Sequence, residues 1–298
     1  VNSCAFSELS SRFPVSAGES RYVLEGFKLS WLSQLTGWMI VTTGVVSAAT
    51  LAVAITGFLR DLVAVPETIS LLITVALLGG IAAWGVAESV AVVVVITVIE
   101  VSALIFIIVV NSGNLIDLPT VWQATGDNSS PSTIMGIFTG AFLTFYAFIG
   151  FEDMVNMAEE VKEPERNLAL AIPLSVLITT IIYILVGVVA IASVPVERLL
   201  NSATPMAELV GSSGTIWIGL ISMLTGVNGA LVQLVMAARV SYGMTKQGHA
   251  PTWLGRVNAF TQTPLTATVL LTLITAVLAL YFPLTTLAKA TSFVILMV

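Results

Sequence analysis

The sequence is poor in charge. Asp, Glu, Lys and Arg together make up 9% of its 298 residues, whereas they account for about 25% of a typical soluble domain. Hydrophobic residues reach 57%, and the mean hydropathy is +1.01. A chain of this composition has too little polar surface to face water, so we expect lipid to surround most of it.

Residues for several kinds of chemistry are also scarce. The one cysteine, Cys4, excludes a disulfide framework or a cysteine-based metal site, and the one histidine, His249, excludes the histidine clusters of haem bundles and zinc enzymes. A net charge of −6 without a basic stripe argues against nucleic acid as a partner. The sequence has no phosphate-binding loop, dinucleotide-binding turn, zinc-protease motif or serine nucleophile elbow. We therefore expect a helical polytopic membrane protein that is not an enzyme and needs no cofactor or metal.

Apolar runs of the length needed to cross a bilayer, about 20 residues, follow one another along the chain. They show no alternation of polar and apolar residues, which favours helices over a β-barrel. The seven runs are 30–58, 68–87, 89–111, 133–157, 168–194, 214–242 and 264–283. The apolar stubs 1–6 and 290–298 are too short to span, so we expect a single transmembrane domain over 1–298 that is cut at both ends.

Lysine and arginine are distributed unevenly between the two sides of the predicted bundle. Alternating the runs across the bilayer places eight of the eleven basic residues on the side that holds the loops 8–29, 158–167 and 239–263. Cytoplasmic loops carry the excess of basic residues in membrane proteins. We therefore assign these loops to the cytoplasm and expect a multi-pass protein of the plasma membrane.

The centre of the run 133–157 is unusual for a membrane span. Residues 140–153 read GAFLTFYAFIGFED, with five aromatic residues around Gly150 and two carboxylates directly after Phe151. Broken helices in transporters use such places, because unwound backbone that lines a cavity offers carbonyl and N–H groups to a zwitterion. A glycine that merely permits close helix packing is the alternative, and the residues leave both interpretations open.

Glu100 lies about midway along the run 89–111. A charge at that depth costs roughly 2.5–3.5 kcal/mol on insertion scales and indicates function by default. We therefore expect Glu100 to be a candidate proton carrier, with a fixed hydrogen bond between helices as the structural alternative. Thr225 and Asn228 are polar groups at membrane depth in a later run; they line a pathway or bridge helices, and bridging is the commoner use.

Two of the predicted cytoplasmic loops are rich in polar residues. The loop 158–167 is dense in charge, and such a run usually forms a solvated face with local salt bridges that contribute little. His249 lies in the loop that follows Arg239, outside the membrane. We expect it to be a loop residue rather than a proton relay.

Three segments resemble the signature regions of one transporter family. Residues 7–27, SELSSRFPVSAGESRYVLEGF, are similar to a second-helix signature running into a third helix. Residues 147–168, with AFIGFE and AEEVKEPERNL, are similar to a sixth helix and its following loop, and residues 239–251 to the loop after an eighth helix. Together they resemble the amino acid/polyamine/organocation (APC) permeases, over essentially the whole chain and from within the second helix into the tenth.

The resemblance implies the LeuT-like fold, an all-α transporter of two inverted five-helix repeats, here without its first helix and its last helices. In that family the substrate is held at breaks in the first and sixth helices. Carried over to this chain, the backbone carbonyls of Tyr146, Ala147 and Ile149 would lie near the substrate ammonium, and Tyr146 would be a gate aromatic. Phe148 and Gly150 would form the break. The first-helix break, which binds the substrate carboxylate in the family, has no counterpart in this sequence.

One position departs from the family pattern. Some proton-coupled members carry a lysine in the fifth helix, near the first-helix break, and Glu100 occupies about that place in the sequence Thr97-Val-Ile-Glu. A carboxylate can still bind and release a proton, but its charge states are the inverse of those of lysine. Coupling by the family's own route is therefore in question.

The leading expectation is a secondary active amino acid transporter that works by alternating access, with the proton as coupling ion. The alternatives are an amino acid or amine exchanger without proton coupling and a membrane sensor that binds an amino acid without moving it. A lipid-modifying enzyme is disfavoured by the lack of a histidine-rich or nucleophile motif. The expected partners are a small amino acid, the proton and the lipid bilayer.

Overall fold

The computed structural model describes residues 2–62, 65–119, 130–146, 148, 150–202, 205–211 and 214–298. Within these ranges the chain forms α-helices joined by short connections, as the uniformly apolar runs predict. The helices are α1 (Asn2–Arg12), α2 (Gly18–Phe27), α3 (Ser30–Leu62), α4 (Glu67–Trp84), α5 (Val86–Asn111), α6 (Pro131–Tyr146), α7 (Asp153–Asn156), α8 (Pro164–Ser193), α9 (Val196–Asn201), α10 (Pro205–Glu208), α11 (Thr215–Lys246), α12 (Leu265–Tyr281) and α13 (Leu284–Met297). Turns of 3₁₀ helix occupy Ser112–Asp117, Ala158–Glu160 and Thr252–Gly255.

Proline marks the start of several helices. Pro131, Pro164 and Pro205 are the first residues of α6, α8 and α10, and Pro66 and Pro264 directly precede α4 and α12. The first N–H groups of a helix have no partner within it, so the N–H that proline lacks is not missed there. These helix starts follow directly from the sequence.

The lengths of the helices agree with most of the predicted spans. Among the described residues, five helices are long and apolar enough to cross a membrane: Ser30–Gly57, Glu67–Trp84, Val90–Ile116, Pro164–Ser193 and Ile216–Lys246. They correspond to five of the seven apolar runs. The run 264–283 forms the shorter helix α12. The run 133–157 is interrupted, because α6 ends at Tyr146 and α7 begins at Asp153.

The chain divides into two compact units, each with its own core. The first unit comprises Val1–Thr97, Glu152–Pro173 and Met223–Val298, and the second comprises Val98–Phe151 and Leu174–Ser222. The expectation of a single transmembrane domain stays a prediction.

The central helix of the first unit is α3. It packs against α2, α4, α12 and α13, and its residues Ala48, Ala49 and Ala52 are buried. Small side chains let neighbouring helices approach closely in a membrane. The approach of α11 is so close that a Cβ at Gly44 would come within 2.9 Å of the Cβ of Ala237. Within the first unit, α3 and α11 therefore pack closely together.

The second unit has a smaller apolar cluster near the end of α5. Ile107 packs there with Leu209 and Ile218. The side-chain amide of Asn111 donates a hydrogen bond to the backbone carbonyl of Leu209, at 3.2 Å. These contacts join α5 to the connection between α10 and α11.

The loop 8–29 contains a helix that the sequence reading did not separate. The second-helix signature does not run straight into the next span, because α1 ends at Arg12 and α2 is a distinct helix of 10 residues. Ala17 and Lys28, on either side of α2, have left-handed backbone conformations with φ of 59° and 57°. The resulting turns set α2 against α3 and α7.

Candidate functional site

Helix α6 ends at Tyr146, in the segment that the resemblance assigns to the substrate. Gly150 follows with a φ of +121°, a backbone conformation that residues with a side chain rarely adopt. Ala147, Ile149 and the side chain of Tyr146 lie outside the described residues. The carbonyl and gate roles of Tyr146, Ala147 and Ile149, and the break role of Phe148 and Gly150, therefore stay predictions.

Phe148 and the candidate proton carrier have one aromatic neighbour in common. The ring of Phe148 meets the ring of Tyr183 in α8 edge-on, with 5.3 Å between the ring centres and 65° between the planes, a favourable arrangement for two aromatic rings. Tyr183 lies close enough to Glu100 for the two side chains to interact electrostatically. Within the second unit, Phe148, Tyr183 and Glu100 thus form one series of neighbours.

The polar residues of α11 differ in their surroundings. The side-chain amide of Asn228 is buried and donates a hydrogen bond to the hydroxyl of Thr97 in α5, at 3.0 Å. Thr225 is exposed. The bond of Asn228 is the helix-bridging use that the sequence left open, and a pathway role for Thr225 and Asn228 stays a prediction.

A second group of polar residues lies beyond the break, in the first unit. The amide of Gln233 in α11 donates to Oδ2 of Asp153 at 2.6 Å. The amide nitrogen of Asn156 donates to Oε1 of Glu19 at 3.1 Å, and the Asn156 oxygen accepts from the backbone N–H of Gly18 at 3.1 Å. Glu19, Asp153 and Asn156 are 6%, 7% and 0% exposed. We call Glu19, Asp153, Asn156 and Gln233 the polar cluster; it ties α2, α7 and α11 together.

Glu19 is a buried acid with acidic neighbours. Burial raises the pKa of its carboxyl to about 8, the hydrogen bonds from the backbone and from Asn156 oppose this rise, and the charge of Glu152 adds to it. Its Oε2 atom is buried and has no hydrogen-bond partner among the residues that the structure describes. The pKa of Tyr22, one turn further along α2, is also raised, by burial and by the charge of Glu19. In this arrangement the Glu19 carboxyl holds a proton at neutral pH.

Two ion pairs connect the segment after α7 to the end of α11. Glu159 pairs with Lys246 at 2.9 Å and accepts a hydrogen bond from the backbone N–H of Ser16 at 3.2 Å. Glu160 pairs at 2.6 Å with Arg239, whose side chain is only 5% exposed. Burial alone would raise the pKa of Glu159, but the bonds from Lys246 and Ser16 hold it below its usual value.

Glu159 and Glu160 are exposed, as the interpretation of this charged loop as a solvated face predicts, but their salt bridges are not local. Their partners are on α11, and Lys246 is 87 residues away from Glu159 in the chain. Charge density along a sequence does not reveal such a partner, because the packing of the helices brings the two segments together.

His249 lies in the loop after α11, as predicted, and it is buried. Its ring is within hydrogen-bond distance of the hydroxyls of Ser30, at 3.1 Å, and Ser33, at 3.4 Å, both in α3. The hydroxyl of Ser33 also donates to the backbone carbonyl of Ser20 in α2, at 2.7 Å. His249 thus takes part in joining α2, α3 and the loop after α11.

The three loops predicted to be cytoplasmic contact one another. The loop 8–29 reaches the loop 158–167 through Ser16 and Glu159, and Glu159 reaches the end of α11 through Lys246. Segments that touch in this way belong on the same face of the membrane. The assignment of that face to the cytoplasm is the prediction from the lysine and arginine counts.

Sequence reasoning missed Glu19, which it treated as one polar residue among many in a loop. The available signal was the run of small residues directly before it, Ser16-Ala17-Gly18. Small residues mark places where another part of the chain covers the backbone closely, and all three are buried here. The carboxyl of Glu19, which directly follows this run, is buried together with it.

Comparison with known proteins gives a consistent result. A family model described as amino acid permease matches residues 2–298. The chain is 30% identical to the cationic amino acid transporter 4, vacuolar, of Arabidopsis thaliana, over 98% of this chain and 52% of that protein. It is 29% identical to the cationic amino acid transporter 3, mitochondrial, of the same plant, over 98% of this chain and 51% of that protein. The chain thus spans about half the length of these plant relatives.

A bacterial relative matches a shorter part. The chain is 32% identical to the branched-chain amino acid permease BcaP of Bacillus subtilis, over 53% of this chain and 35% of that protein. The family match covers the interruption after α6, Glu100 and the polar cluster. The APC resemblance and the all-α polytopic membrane fold are therefore confirmed. The chain belongs to the amino acid permease family.

Proposed function

We propose that this protein moves an amino acid across a membrane by alternating access, as a secondary transporter in symport with protons. The observation that most supports the proposal is the end of α6 at Tyr146, followed by Gly150 at a positive φ, within an apolar run. Peptide groups without partners cost several kcal/mol each in lipid, so irregular backbone at membrane depth lines a cavity or is buried in protein. Backbone carbonyl and N–H groups that line a cavity match the ammonium and carboxylate of an amino acid.

The neighbours of Glu100 support a proton-coupling role for its carboxyl. A substrate at the break would press on Phe148, and the ring of Phe148 is in contact with Tyr183, which interacts electrostatically with Glu100. Movement of Tyr183 changes the field at the carboxyl and with it the affinity for a proton. Substrate binding and proton binding are then linked through two rings.

Transport in proteoliposomes tests this proposal, with the complete product of the reading frame. We expect a proton gradient directed into the proteoliposomes to drive uphill uptake of a labelled amino acid. Glu100→Gln should abolish uphill uptake and leave exchange of internal for external substrate intact. Glu197→Gln, which removes an exposed carboxylate of α9, is the matched control. Unchanged proton-driven uptake in Glu100→Gln would remove Glu100 from the mechanism.

The same assay separates the alternatives. Exchange that persists without a pH gradient, together with an absence of net uptake, would indicate an exchanger. Saturable binding without any flux would indicate a sensor. Because relatives are named as transporters of cationic and of branched-chain amino acids, the substrate screen begins with these two classes.

We place the protein in the plasma membrane in this proposal. The excess of basic residues on one face supports insertion with that face in the cytoplasm. Two plant relatives are named vacuolar and mitochondrial. Fractionation of cells that produce a tagged version tests the location, and recovery in an internal membrane would contradict it.

A further inference from the structure

The polar cluster has no part in the route proposed for substrate and proton. That route runs through Phe148, Tyr183 and Glu100 of the second unit, whereas the cluster belongs to the first unit. Glu19 and Asp153 come from different helices, α2 and α7, which pack against each other. Two carboxyl groups buried together at a helix contact are costly in their ionised forms, so their presence calls for a chemical role.

We propose that Glu19 is a proton-binding site on the cytoplasmic side, whose protonation holds α2 against α7 and whose ionisation loosens that contact. The protonation of this site responds to cytoplasmic pH, and the site is separate from the coupling site at Glu100. The proposal rests on the proposed transport function only for its flux measurement, since proton binding itself can be measured without transport.

Burial disfavours a charge on Asp153 as well as on Glu19, and hydrogen bonding is what distinguishes the two carboxyls. Oδ2 of Asp153 accepts a bond of 2.6 Å from the amide of Gln233, which stabilises a negative charge on that oxygen. Glu19 accepts from Asn156 on Oε1, over 3.1 Å, and has a backbone hydrogen bond, but its Oε2 is buried without a hydrogen-bond partner among the described residues. Adding a proton to Oε2 removes the buried charge and leaves the bond from Asn156 intact.

The charged groups around the site reinforce this assignment. Glu152 lies directly before α7, and Asp153 is the first residue of α7. Both acidic residues interact electrostatically with Glu19 and with each other. On α2 itself the next charged group is Arg21, which pairs with Glu25 at 2.6 Å, and the hydroxyl of Tyr22 is buried. Burial and Glu152 together raise the pKa of Glu19 to about 8, within reach of cytoplasmic pH.

The cations of the neighbouring helix are engaged elsewhere. Lys246 and Arg239 of α11 pair with Glu159 and Glu160. On the α3 side, His249 bonds to Ser30 and Ser33. An ionised Glu19 therefore faces the negative charge of Glu152, and only the backbone hydrogen bond and the Asn156 amide oppose this effect.

Ionisation of Glu19 affects the backbone directly before it, at the start of α2. The backbone N–H of Gly18 donates to Asn156 at 3.1 Å. Asn156 therefore contacts the carboxyl of Glu19 and also holds the start of α2. A charged Glu19 draws water and repels Asp153, which pulls this start away from α7. Because α7 directly follows the interruption at Gly150, loosening it disturbs the second half of the broken helix.

Infrared spectroscopy tests proton binding directly. The purified protein in lipid is titrated from about pH 6 to about pH 10, a range that brackets the pKa of Glu19. We expect a protonated-carboxyl C=O band that disappears near pH 8 in the wild type and is missing in Glu19→Gln, a variant of the same size that still accepts the bond from Asn156. Glu19→Asp should keep such a band with a shifted midpoint. Absence of any titrating carboxyl band from the wild type would overturn the proposal whether or not the variants fold.

Exchange flux tests the consequence. With the pH varied only on the cytoplasmic side, we expect the exchange rate of the wild type to fall several-fold across the titration and that of Glu19→Gln to stay constant. Glu25→Gln is the matched control on the same helix, because Glu25 is more exposed and pairs with Arg21 and Lys28; it should follow the wild type. A wild-type pH profile in folded Glu19→Gln would overturn the proposal. If no variant transports anything, the proposed function fails while the infrared titration still decides the fate of Glu19.

Discussion

The ammonium of Lys246, at the last turn of α11, lies 2.9 Å from the carboxylate of Glu159, although 87 residues separate them. The neighbouring pair of Arg239 and Glu160 has a shorter distance of 2.6 Å and a more buried cation. The two pairs make the same connection between the segment after α7 and the end of α11. They differ in solvent exposure, and this difference predicts unequal contributions.

We expect Arg239→Met to destabilise the protein more than Lys246→Met. The Lys246 side chain is 53% exposed, and an exposed pair contributes about 1 kcal/mol or less. Removing Arg239, which is 5% exposed, leaves Glu160, which is 33% exposed, without its partner and should cost about 2 kcal/mol, between the values for exposed and for buried pairs. Thermal unfolding in detergent measures both. Equal shifts of Tm for the two variants would contradict the ranking, and Lys162→Met, in the same loop, is the control for loss of a cation.

The pH dependence of stability should carry the signature of Glu19. Its pKa is raised from 4.5 to about 8 on folding, so the folded state binds more protons than the unfolded state between these values. The free energy of unfolding therefore falls as the pH rises. The contribution of Glu19 is fully present below about pH 4.5 and is lost as the pH rises through about 8.

Glu19→Gln cannot titrate, so its Tm relative to the wild type should increase from about pH 5 to about pH 8 and then level off. The control Glu25→Gln should give a flat difference over this interval. The hydrogen bond from Lys28 is the main reason that the pKa of Glu25 is lowered, so its titration falls at lower pH. A flat difference for Glu19→Gln as well would mean that Glu19 is not buried as described.

Gly243→Ala should weaken the contact between α11 and the turn before α2. A Cβ at Gly243 would collide with the backbone carbonyl of Ser16 and lie 2.8 Å from the Cβ of Ala17. Backbone cannot move aside as a flexible side chain can, so we expect a loss of about 1–3 kcal/mol and reduced transport. Gly57→Ala in α3, where nothing lies within 4 Å of the added Cβ, should be neutral or slightly stabilising. Comparable Tm values for the two variants would contradict the close packing.

Gly150→Leu should abolish substrate binding if the interruption after α6 is the substrate site. At a φ of +121° a side chain is strained, so leucine favours a different backbone and also fills space beside it. Gly140→Leu, on the regular helix α6 with open space at its Cβ, is the control. Binding of labelled amino acid to the purified protein measures the effect. Normal binding by Gly150→Leu would place the substrate elsewhere.

Much of the architecture was predictable from local features of the chain. Apolar runs of sufficient length indicated the spans, and prolines such as Pro131 and Pro164 marked where helices begin. The cluster of aromatic residues around Gly150 pointed to the place where helix α6 ends. Glu100 stood out because a carboxyl within an apolar run is rare whatever surrounds it.

The contacts among the loops 8–29, 158–167 and 239–263 were not predictable in this way. Glu19 and Asn156 are 137 residues apart, and no local feature of the sequence indicates that they are partners. The charged loop suggested local salt bridges, whereas Glu159 and Glu160 pair with α11. The expectation failed because it considered only neighbours in sequence, and the packing of α3 against α2 decides which loops meet.

By itself the sequence determined, through its motifs, the family of this chain, and through its apolar runs, that the chain forms membrane helices. The helices depend on hydrophobicity and on hydrogen bonds between residues four apart, both of which act along the chain. The tertiary structure alone decided that Glu19 is buried beside Asp153 and that Lys246 and Arg239 meet Glu159 and Glu160. Burial and Coulomb interaction depend on distance in space, and distance in space is set only when the helices pack.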